Sequence, residues 1–263
     1  MDSVNKTLYI PLYGKAYVSQ KGLFLNDKMA EEIWEKEGFP LKGKAKSKWL
    51  AYYMGIRSAV FDRWLKEQLA VQHDAAVLHL GCGMDSRVLR VAADNSWYDV
   101  DFPEVIGERK RYFSETETYH MLASDVRNSD WLVEIPKHKQ AIVVMEGISM
   151  YLSHEELKDL MTALCGQFEQ VTVLMDCYSE MAAKLSKYKN PVKEVGVTKV
   201  YGLDEPKLLE SEGFIFVGEE AMTPQALVEQ LQGIERKIFQ KLYAGRFSQG
   251  LYRLYQYKTQ RIS

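Results

Sequence analysis

Long apolar runs and paired cysteines are both missing from this sequence of 263 residues. No apolar run approaches the ~20 residues that a membrane-spanning helix needs, and the first residues lack the apolar core of a signal peptide. The three cysteines, Cys82, Cys165 and Cys177, include no Cys-x-x-Cys pair, and no histidines follow a His-Glu-x-x-His pattern. We therefore expect a cytoplasmic chain with no membrane partner, no disulfide framework and no metal.

A strong excess of one charge is missing as well. The formal net charge is -2, which argues against a protein built to neutralise many phosphates, so we expect no nucleic-acid partner. Hydrophobic residues make up 46% and charged residues 27%, as in ordinary soluble globular proteins. The length is sufficient for one large α/β domain or for a domain with an appended cap.

From residue 75 onward, short β-rich runs alternate with amphipathic helical patterns. We predict strands at Ala76–Leu80, Trp97–Val100, Tyr119–Ala123, Ala141–Met145, Val171–Met175, Phe214–Gly218 and Tyr252–Tyr257. We predict helices at Asp27–Glu37, from about Tyr52 to Leu69, after a capping box at Ser153 and Glu156, and at Pro224–Tyr243. This alternation favours an α/β fold with a doubly wound, mostly parallel seven-stranded sheet.

The predicted strands are followed by glycines and carboxylates. Gly81 and Gly83 follow the first strand, where bare backbone lets a ligand approach closely. Asp99 and Asp101 end the second, Asp125 and Val126 follow the third, and Glu146 follows the fourth. Asp176 ends the fifth. In a doubly wound sheet these carboxyl ends meet at the ligand site, so the pattern predicts a nucleoside-containing cofactor.

The chemistry of these side chains favours S-adenosylmethionine over NAD. A dinucleotide site needs a third glycine, and Ser86 stands in its place. S-adenosylmethionine instead carries a sulfonium, an ammonium, a ribose diol and an adenine, which acidic groups suit. Glu146 suits the ammonium, Asp99 or Asp101 the ribose, and Asp125 the adenine amino group. The one carboxylate of the cofactor suits an arginine such as Arg57, through a two-pronged contact.

Several segments together resemble the leucine carboxyl methyltransferase superfamily. Leu80–Arg87 resembles its Leu-Gly-x-Gly-x-Asp-[Ser/Thr]-Arg motif, Tyr98–Pro103 its [Glu/Asp]-Val-Asp-x-Pro motif, and Glu146–Leu152 its Glu-Gly-[Leu/Val]-x-Met-Tyr-Leu motif. Arg57–Asp62 is similar to the upstream arginine segment of the superfamily. Leu12–Ala16 resembles a segment of the branch related to tetracenomycin polyketide O-methyltransferases.

The resemblance implies a class I methyltransferase, Rossmann-like fold with an N-terminal helical cap. We expect the cap at residues 1–70 and the S-adenosylmethionine-binding core at 71–263, with an inserted helix at about 223–243. The resemblance also implies roles for individual residues. It places Arg57 at the cofactor carboxylate, Gly81 beneath the cofactor, Asp101 at the ribose with Asp99 close by, Asp125 and Val126 around adenine, Glu146 at the amino acid, and Lys15 near the cofactor or the incoming carboxylate of the acceptor.

The chemistry of the acceptor decides whether a base is needed. A carboxylate is ionised at pH 7, so alignment of the reactants is enough, whereas a phenol would need a base. By motif position the candidate bases are His79, Tyr151 and His154, and Tyr151 is also a candidate substrate contact. We expect O-methylation of a carboxylate or hydroxyl without a dedicated base, with S-adenosylhomocysteine as the product.

Three classes of function stay open at this point. The first is an S-adenosylmethionine-dependent O-methyltransferase acting on a small polyketide-type molecule, with a protein C-terminal carboxyl methyltransferase as a variant. The second is an NAD-dependent oxidoreductase, which Ser86 disfavours. The third is a nucleoside-binding regulator without catalytic activity.

Overall fold

The computed structural model of the protein describes residues 5–39, 41, 43–189, 199–211 and 213–260. Its centre is one sheet with the strand order β3-β2-β1-β4-β5-β7-β6, in which β7 runs opposite to the other six strands. The strands are β1 (Ala76–Leu80), β2 (Trp97–Asp101), β3 (Tyr119–Ala123), β4 (Gln140–Met145), β5 (Gln170–Tyr178), β6 (Phe214–Glu220) and β7 (Tyr252–Thr259). The predicted mostly parallel seven-stranded sheet is confirmed, and every predicted strand lies within an observed one.

Helices pack on both faces of this sheet. They are α1 (Asn5–Gln20), α2 (Lys28–Glu37), α3 (Lys48–Leu69), α4 (Arg87–Val91), α5 (Pro103–Arg109), α6 (His154–Gln167), α7 (Glu180–Lys189), α8 (Gln225–Val228), α9 (Gly233–Leu242) and α10 (Arg246–Gln249). Short 3-10 helices cover Gly43–Lys46, Ser129–Glu134, Ser149–Tyr151 and Pro206–Leu209. Of the helices in the described ranges, none is both long and apolar enough to cross a membrane.

Alternate side chains of the central strands supply two hydrophobic cores. On one face Val77 and Ile142 pack in the same cluster as Val60 and Trp64 of α3. On the other face the neighbouring strand positions share a cluster with the apolar stripe of α6, which includes Leu160. Strands covered on both faces are almost wholly apolar, which is why periodicity reveals them so clearly in the sequence.

Three predicted boundaries are wrong, each for a local reason. The predicted helix Pro224–Tyr243 is two helices, α8 and α9, because the chain leaves the helical path at residues 229–232, where Gln232 is extended (φ -112°, ψ 155°), and α9 begins at Gly233 with a left-handed φ of 54°. α3 begins at Lys48, before Tyr52, because the Ser47 hydroxyl caps it by accepting from the Trp49 N–H at 3.3 Å. β5 continues to Tyr178 through its pairing with β7, so Asp176 lies inside the strand.

The first helix was not apparent in the sequence, since Pro11 lies in its interior. α1 nevertheless packs closely along α3, because each helix places a glycine against the other. A Cβ on Gly14 would lie 2.7 Å from the Cβ of Met54, and one on Gly55 would lie 2.6 Å from a methyl group of Val18. The division of the chain into a cap and a core at residue 70 stays a prediction.

Candidate active site

A cavity of about 910 Å³ opens at the carboxyl ends of β1, β2 and β4. Between β1 and β4 the strand order switches direction, and ligands of doubly wound sheets bind at this position. Leu8 and Pro11 of α1 and Met54 of α3 line the wall opposite the sheet. Asp99 and the candidate base His154 do not line the cavity, whereas the other predicted site residues do: Lys15, Arg57, His79, Gly81, Gly83, Asp101, Asp125, Val126, Glu146 and Tyr151.

The turn after β1 depends on glycine for space as well as for conformation. Gly81 has a φ of 65° and Gly83 a φ of 52°, both in the left-handed region. A Cβ on Gly81 would lie 2.0 Å from a methyl group of Ile148, which no side chain tolerates. The turn therefore presents bare backbone to the cavity, as a closely bound cofactor requires.

Asp101 ends β2 with its carboxylate held by backbone alone. Its Oδ2 accepts from the Gly83 N–H and its Oδ1 from the Phe102 N–H, both at 2.8 Å. Burial raises the pKa of Asp101 to about 6, although these two hydrogen bonds oppose the shift. The side chain is 8% exposed, so this carboxylate combines protein hydrogen bonds with access to the cavity.

Asp99 was predicted to lie close to the cofactor, but the structure places it away from the cavity wall. Its Oδ1 accepts from Trp97 Nε1 at 2.9 Å and from His79 Nδ1 at 3.2 Å. Its Oδ2 accepts from the Tyr119 hydroxyl at 2.6 Å and from Arg109. Burial would raise the pKa of Asp99, but Arg109 and the bond from His79 lower it to about 2. Protein groups thus donate to both oxygens of Asp99, and its contact with a cofactor stays a prediction.

His79 has no ring nitrogen left to act as a base. Arg87 Nη1 is a donor only and lies 3.0 Å from Nε2, so Nε2 accepts and the proton resides on Nδ1. Nδ1 then donates to Asp99. Burial lowers the pKa of His79, which keeps the imidazole neutral. The geometry argues against a catalytic role for His79.

Glu146 and Arg57 meet at the centre of the cavity wall. Arg57 Nε donates to Glu146 Oε1 at 2.9 Å, and Arg87 Nη2 donates to Glu146 Oε2. Burial would raise the pKa of Glu146, but Arg57 and Arg87 outweigh it and hold the pKa below its usual value. The Ser58 hydroxyl is a third donor, at 3.4 Å from Glu146 Oε2. A carboxylate has about four acceptor positions, so Glu146 keeps capacity for one more donor.

A second buried ion pair connects α1 to the glycine turn. Lys15 Nζ lies 3.2 Å from Asp85 Oδ2, and both side chains are almost fully buried. Asp85 also pairs with Arg87 and Arg90, at 3.2 and 2.8 Å. Lys15 is thus held at the cavity wall by the turn that follows β1.

The third strand contributes Asp125 and Val126 to the cavity. Arg127 N and Nε donate to Asp125 Oδ1 at 3.0 and 2.9 Å, so the carboxylate is fixed by the residue two positions along. Burial would raise the pKa of Asp125, but the bonds from Arg127 keep it below its usual value. Val126 lies beside it as a half-buried apolar surface.

The sequence model of the leucine carboxyl methyltransferase family matches residues 5–165. The chain belongs to this family. The match covers every predicted site residue, from Lys15 to Tyr151, and confirms the resemblance carried by the motifs.

Two relatives in the family's reaction class match most of the chain. The tetracenomycin polyketide synthesis O-methyltransferase TcmP of Streptomyces glaucescens is 28% identical over 241 residues, which are 90% of this chain and 89% of the relative. The S-adenosyl-L-methionine-dependent methyltransferase dpfgK of Gibberella zeae is 23% identical over 235 residues, 80% of this chain and 79% of the relative.

Solved structures share the fold at much lower identity. A Thermobifida fusca protein provisionally assigned as a methyltransferase superposes with a TM-score of 0.60 at 11% identity and covers 94% of both chains. The magnesium protoporphyrin IX methyltransferase ChlM of Synechocystis, with bound S-adenosylhomocysteine, has a TM-score of 0.51 at 12% identity and covers 94% of this chain and 98% of its own. The fold is that of class I methyltransferases.

Membership of the leucine carboxyl methyltransferase family assigns the reaction class and the cofactor. The protein is a methyltransferase, and its cofactor is S-adenosylmethionine rather than NAD. The family motifs did not reveal four further tyrosines of the cavity, since they lie between and beyond the matching segments: Tyr53, Tyr178, Tyr201 and Tyr252. His154 lies outside the cavity, where its Nε2 donates to the Gly202 carbonyl at 2.8 Å.

Proposed function

We propose that the chain transfers a methyl group to a carboxylate or hydroxyl oxygen of a small polyketide-type molecule. One observation supports this: a single cavity joins a polar region at the glycine turn to an apolar region lined by tyrosines. Its volume of about 910 Å³ is near the upper end of the range for ligand pockets, which leaves room for an acceptor beside a nucleoside. The similarity to a polyketide O-methyltransferase over 90% of the chain supports the acceptor class.

The polar region fits S-adenosylmethionine, which when bound supplies an electrophilic methyl group on a positively charged sulfur. Asp101 accepts hydrogen bonds from the ribose hydroxyls through the lone pairs that the backbone leaves free. Asp125 accepts from the adenine amino group, and Val126 packs against the ring. Gly81 presents bare backbone to the cofactor, at a position where a Cβ would collide with Ile148.

The charged side chains of the wall fit the amino-acid end of the cofactor. Glu146 offers its remaining acceptor position to the ammonium group. Arg57 and Lys15 offer donors to the carboxylate. Asp99 acts indirectly, since it holds Arg109, whose Nη1 donates to the Gly83 carbonyl at 3.0 Å and so supports the turn.

The chain promotes the transfer by binding, aligning and excluding water. A carboxylate acceptor is ionised at neutral pH and needs no base, and alignment alone supplies up to ~7–11 kcal/mol. Burial raises the pKa of Tyr151, so its hydroxyl stays protonated and does not serve as a base. α1 and α3 cover the cavity and shield the reacting atoms from solvent.

An acceptor screen tests this proposal. Purified protein is incubated with S-adenosylmethionine and matched aromatic carboxylic acids and phenols, together with a peptide ending in a free leucine carboxylate. We expect one methyl group to be added to a small acceptor, detected by mass spectrometry together with S-adenosylhomocysteine. Mild alkali then distinguishes an ester, which it cleaves, from an ether.

One site variant and one matched control variant test whether the methylation depends on the proposed cofactor site. Glu146→Gln should lose turnover because a neutral amide no longer attracts the ammonium, whereas Asp159→Asn, at an exposed position of α6, should retain it. Methylation of the peptide alone would instead support a protein C-terminal carboxyl methyltransferase. Binding of S-adenosylhomocysteine without methylation of any acceptor would contradict the proposed acceptor class.

A further inference from the structure

Three of the five N–H groups of Arg57 are already engaged by side chains around the cavity. Nε donates to Glu146 Oε1 at 2.9 Å. Nη1 donates to the Tyr252 hydroxyl at 2.7 Å and to Asp176 Oδ2 at 3.1 Å. Within the part of the chain that the structure describes, no hydrogen bond uses Nη2. Arg57 therefore has one donor group left for a ligand, the two hydrogens of Nη2.

Tyr252 and Asp176 form a closed network with Arg57. The Tyr252 hydroxyl donates to Asp176 Oδ2 while it accepts from Arg57 Nη1. Burial raises the pKa of Tyr252, so the hydroxyl keeps the proton that this bond needs. The three side chains come from α3, β5 and β7, and each is at least nine-tenths buried. Arg57 Nη1, the Tyr252 hydroxyl and Asp176 Oδ2 are thus all bonded to one another, and such a buried network holds Nη1 firmly in place.

Asp176 also holds the turn that lies against the guanidinium. Its Oδ1 accepts from the Gly147 N–H at 2.7 Å. Gly147 has a φ of 82°, and a Cβ there would lie 3.4 Å from Arg57 Nη2 and 3.6 Å from Nη1. The Glu146–Gly147 backbone thus packs directly on the arginine. A single carboxylate therefore fixes both the guanidinium and the peptide that carries Glu146.

We propose that Tyr252 and Asp176 are positioning residues, which hold Nη1 of Arg57 so that its Nη2 faces the amino-acid end of the cofactor. The inference rests on the proposed function, in which Arg57 binds the cofactor carboxylate. It also corrects the two-pronged contact expected from the sequence, because Nε and Nη1 are committed to protein groups. Neither positioning residue has to touch the cofactor. Their effect is specific to the part of the cofactor that Arg57 meets.

This specificity gives a test that a merely structural role would not satisfy. S-adenosylhomocysteine and 5′-methylthioadenosine share adenine, ribose and a thioether, but only the first carries an amino acid. Tyr252→Phe keeps the ring and removes the hydroxyl. We expect the Kd of S-adenosylhomocysteine to rise about tenfold, because an arginine that is no longer fixed binds a carboxylate less well. The Kd of 5′-methylthioadenosine should stay within about twofold, as measured by titration calorimetry.

Tyr255→Phe is the matched control. Tyr255 is a buried tyrosine of the same strand, whose hydroxyl donates to the Leu203 carbonyl at 3.2 Å, and it does not line the cavity. This variant should leave both dissociation constants unchanged. Asp176→Asn, which keeps the shape and loses the charge, should reproduce the selective loss if Tyr252→Phe fails to fold.

The outcomes separate this inference from the proposed function. Equal weakening of both ligands in the folded variants would indicate a general structural role and would overturn the inference. Unchanged binding of S-adenosylhomocysteine would overturn it too. If the wild-type protein bound neither ligand, the proposed cofactor site itself would be wrong, and the inference would fall with it.

Discussion

Asp99 and Asp101 lie two residues apart on one face of β2, yet their surroundings drive their pKa values in opposite directions. Burial acts on both. At Asp99 the effect of burial is outweighed by Arg109 and three further hydrogen-bond donors, which lower its pKa to about 2. Asp101 has only two backbone N–H groups, and its pKa rises to about 6. The first carboxylate is saturated by the protein, whereas the second keeps lone pairs for a ligand.

The raised pKa of Asp101 predicts a pH dependence of cofactor binding. Ribose hydroxyls donate to the ionised carboxylate, so the bound state favours loss of the proton. We expect the Kd of S-adenosylhomocysteine to be constant above about pH 7 and to rise about tenfold per pH unit below the pKa of about 6. Calorimetric titrations between pH 5 and 8 would measure this change.

Asp101→Asn is the control for this pH dependence. The amide does not titrate, so the variant should bind more weakly at neutral pH and show a flat profile across the same range. A wild-type profile that is equally flat would contradict the ribose contact assigned to Asp101. A step that persists in the variant would assign the titration to another group.

The sequence revealed the site residues that belong to contiguous motifs and missed those that join through tertiary contacts. The glycines, Asp101 and Glu146 follow strands, and the carboxyl ends of parallel strands meet in any doubly wound sheet. Tyr252 contacts Arg57 across 195 positions of sequence, and no local pattern marks such a partner. Asp99 shows a second limit of the sequence. A carboxylate near the end of a strand gives the same pattern whether its side chain faces a ligand or an arginine.

At the scale of elements, the close packing of α1 on α3 controls access to the cavity. α1 carries Lys15 and Leu8 to the cavity wall, and its approach depends on Gly55, where a Cβ would lie 2.6 Å from a methyl group of the fully buried Val18. We expect Gly55→Ala to destabilise the protein by ~1–3 kcal/mol through overpacking and to weaken cofactor binding. Thermal melts and S-adenosylhomocysteine titrations would measure both effects.

Gly166→Ala is the control for Gly55→Ala, because it makes the same change in a helix where there is space for the added methyl group. Gly166 lies on the exposed side of α6, and a Cβ there would meet nothing within 4 Å. This substitution should be neutral or stabilising by up to ~1 kcal/mol, since alanine is the better helix former. Equal losses in the two variants would contradict the steric argument for Gly55.

Helices and strands with a clear hydrophobic period could be predicted from the sequence. Those whose form depends on packing against another element could not. The central strands are apolar because helices cover both faces, so their positions follow from composition alone. α1 contains Pro11 and Gly14, which argue against a helix, yet Gly14 is needed there because α3 approaches it closely. The break between α8 and α9 lies inside an amphipathic pattern, where the extended Gln232 and the left-handed Gly233 follow one another.

At the scale of the whole molecule, buried charges join the N-terminal helices to the sheet. Asp27, the N-cap of α2, accepts from Ser86 and Arg90 near the glycine turn. Lys15 of α1 pairs with Asp85 of the same turn at 3.2 Å. Removing one member of such a buried pair leaves the other uncompensated, which is costly. The N-terminal helices are therefore tied to the glycine turn at the cavity.

This connection predicts one cooperative melting transition that the cofactor product shifts as a whole. S-adenosylhomocysteine at about 100 times its Kd stabilises the folded state by ~2.7 kcal/mol, which for a chain of this length raises the Tm by roughly 5–10 °C. NAD should cause no shift, because its pyrophosphate would face Asp101, Asp125 and Glu146. Differential scanning calorimetry with each ligand and with none measures both the shift and the number of transitions. An early transition in the free protein that S-adenosylhomocysteine abolishes would show that the N-terminal helices dock only on binding, and that the buried ion pairs do not hold them in place.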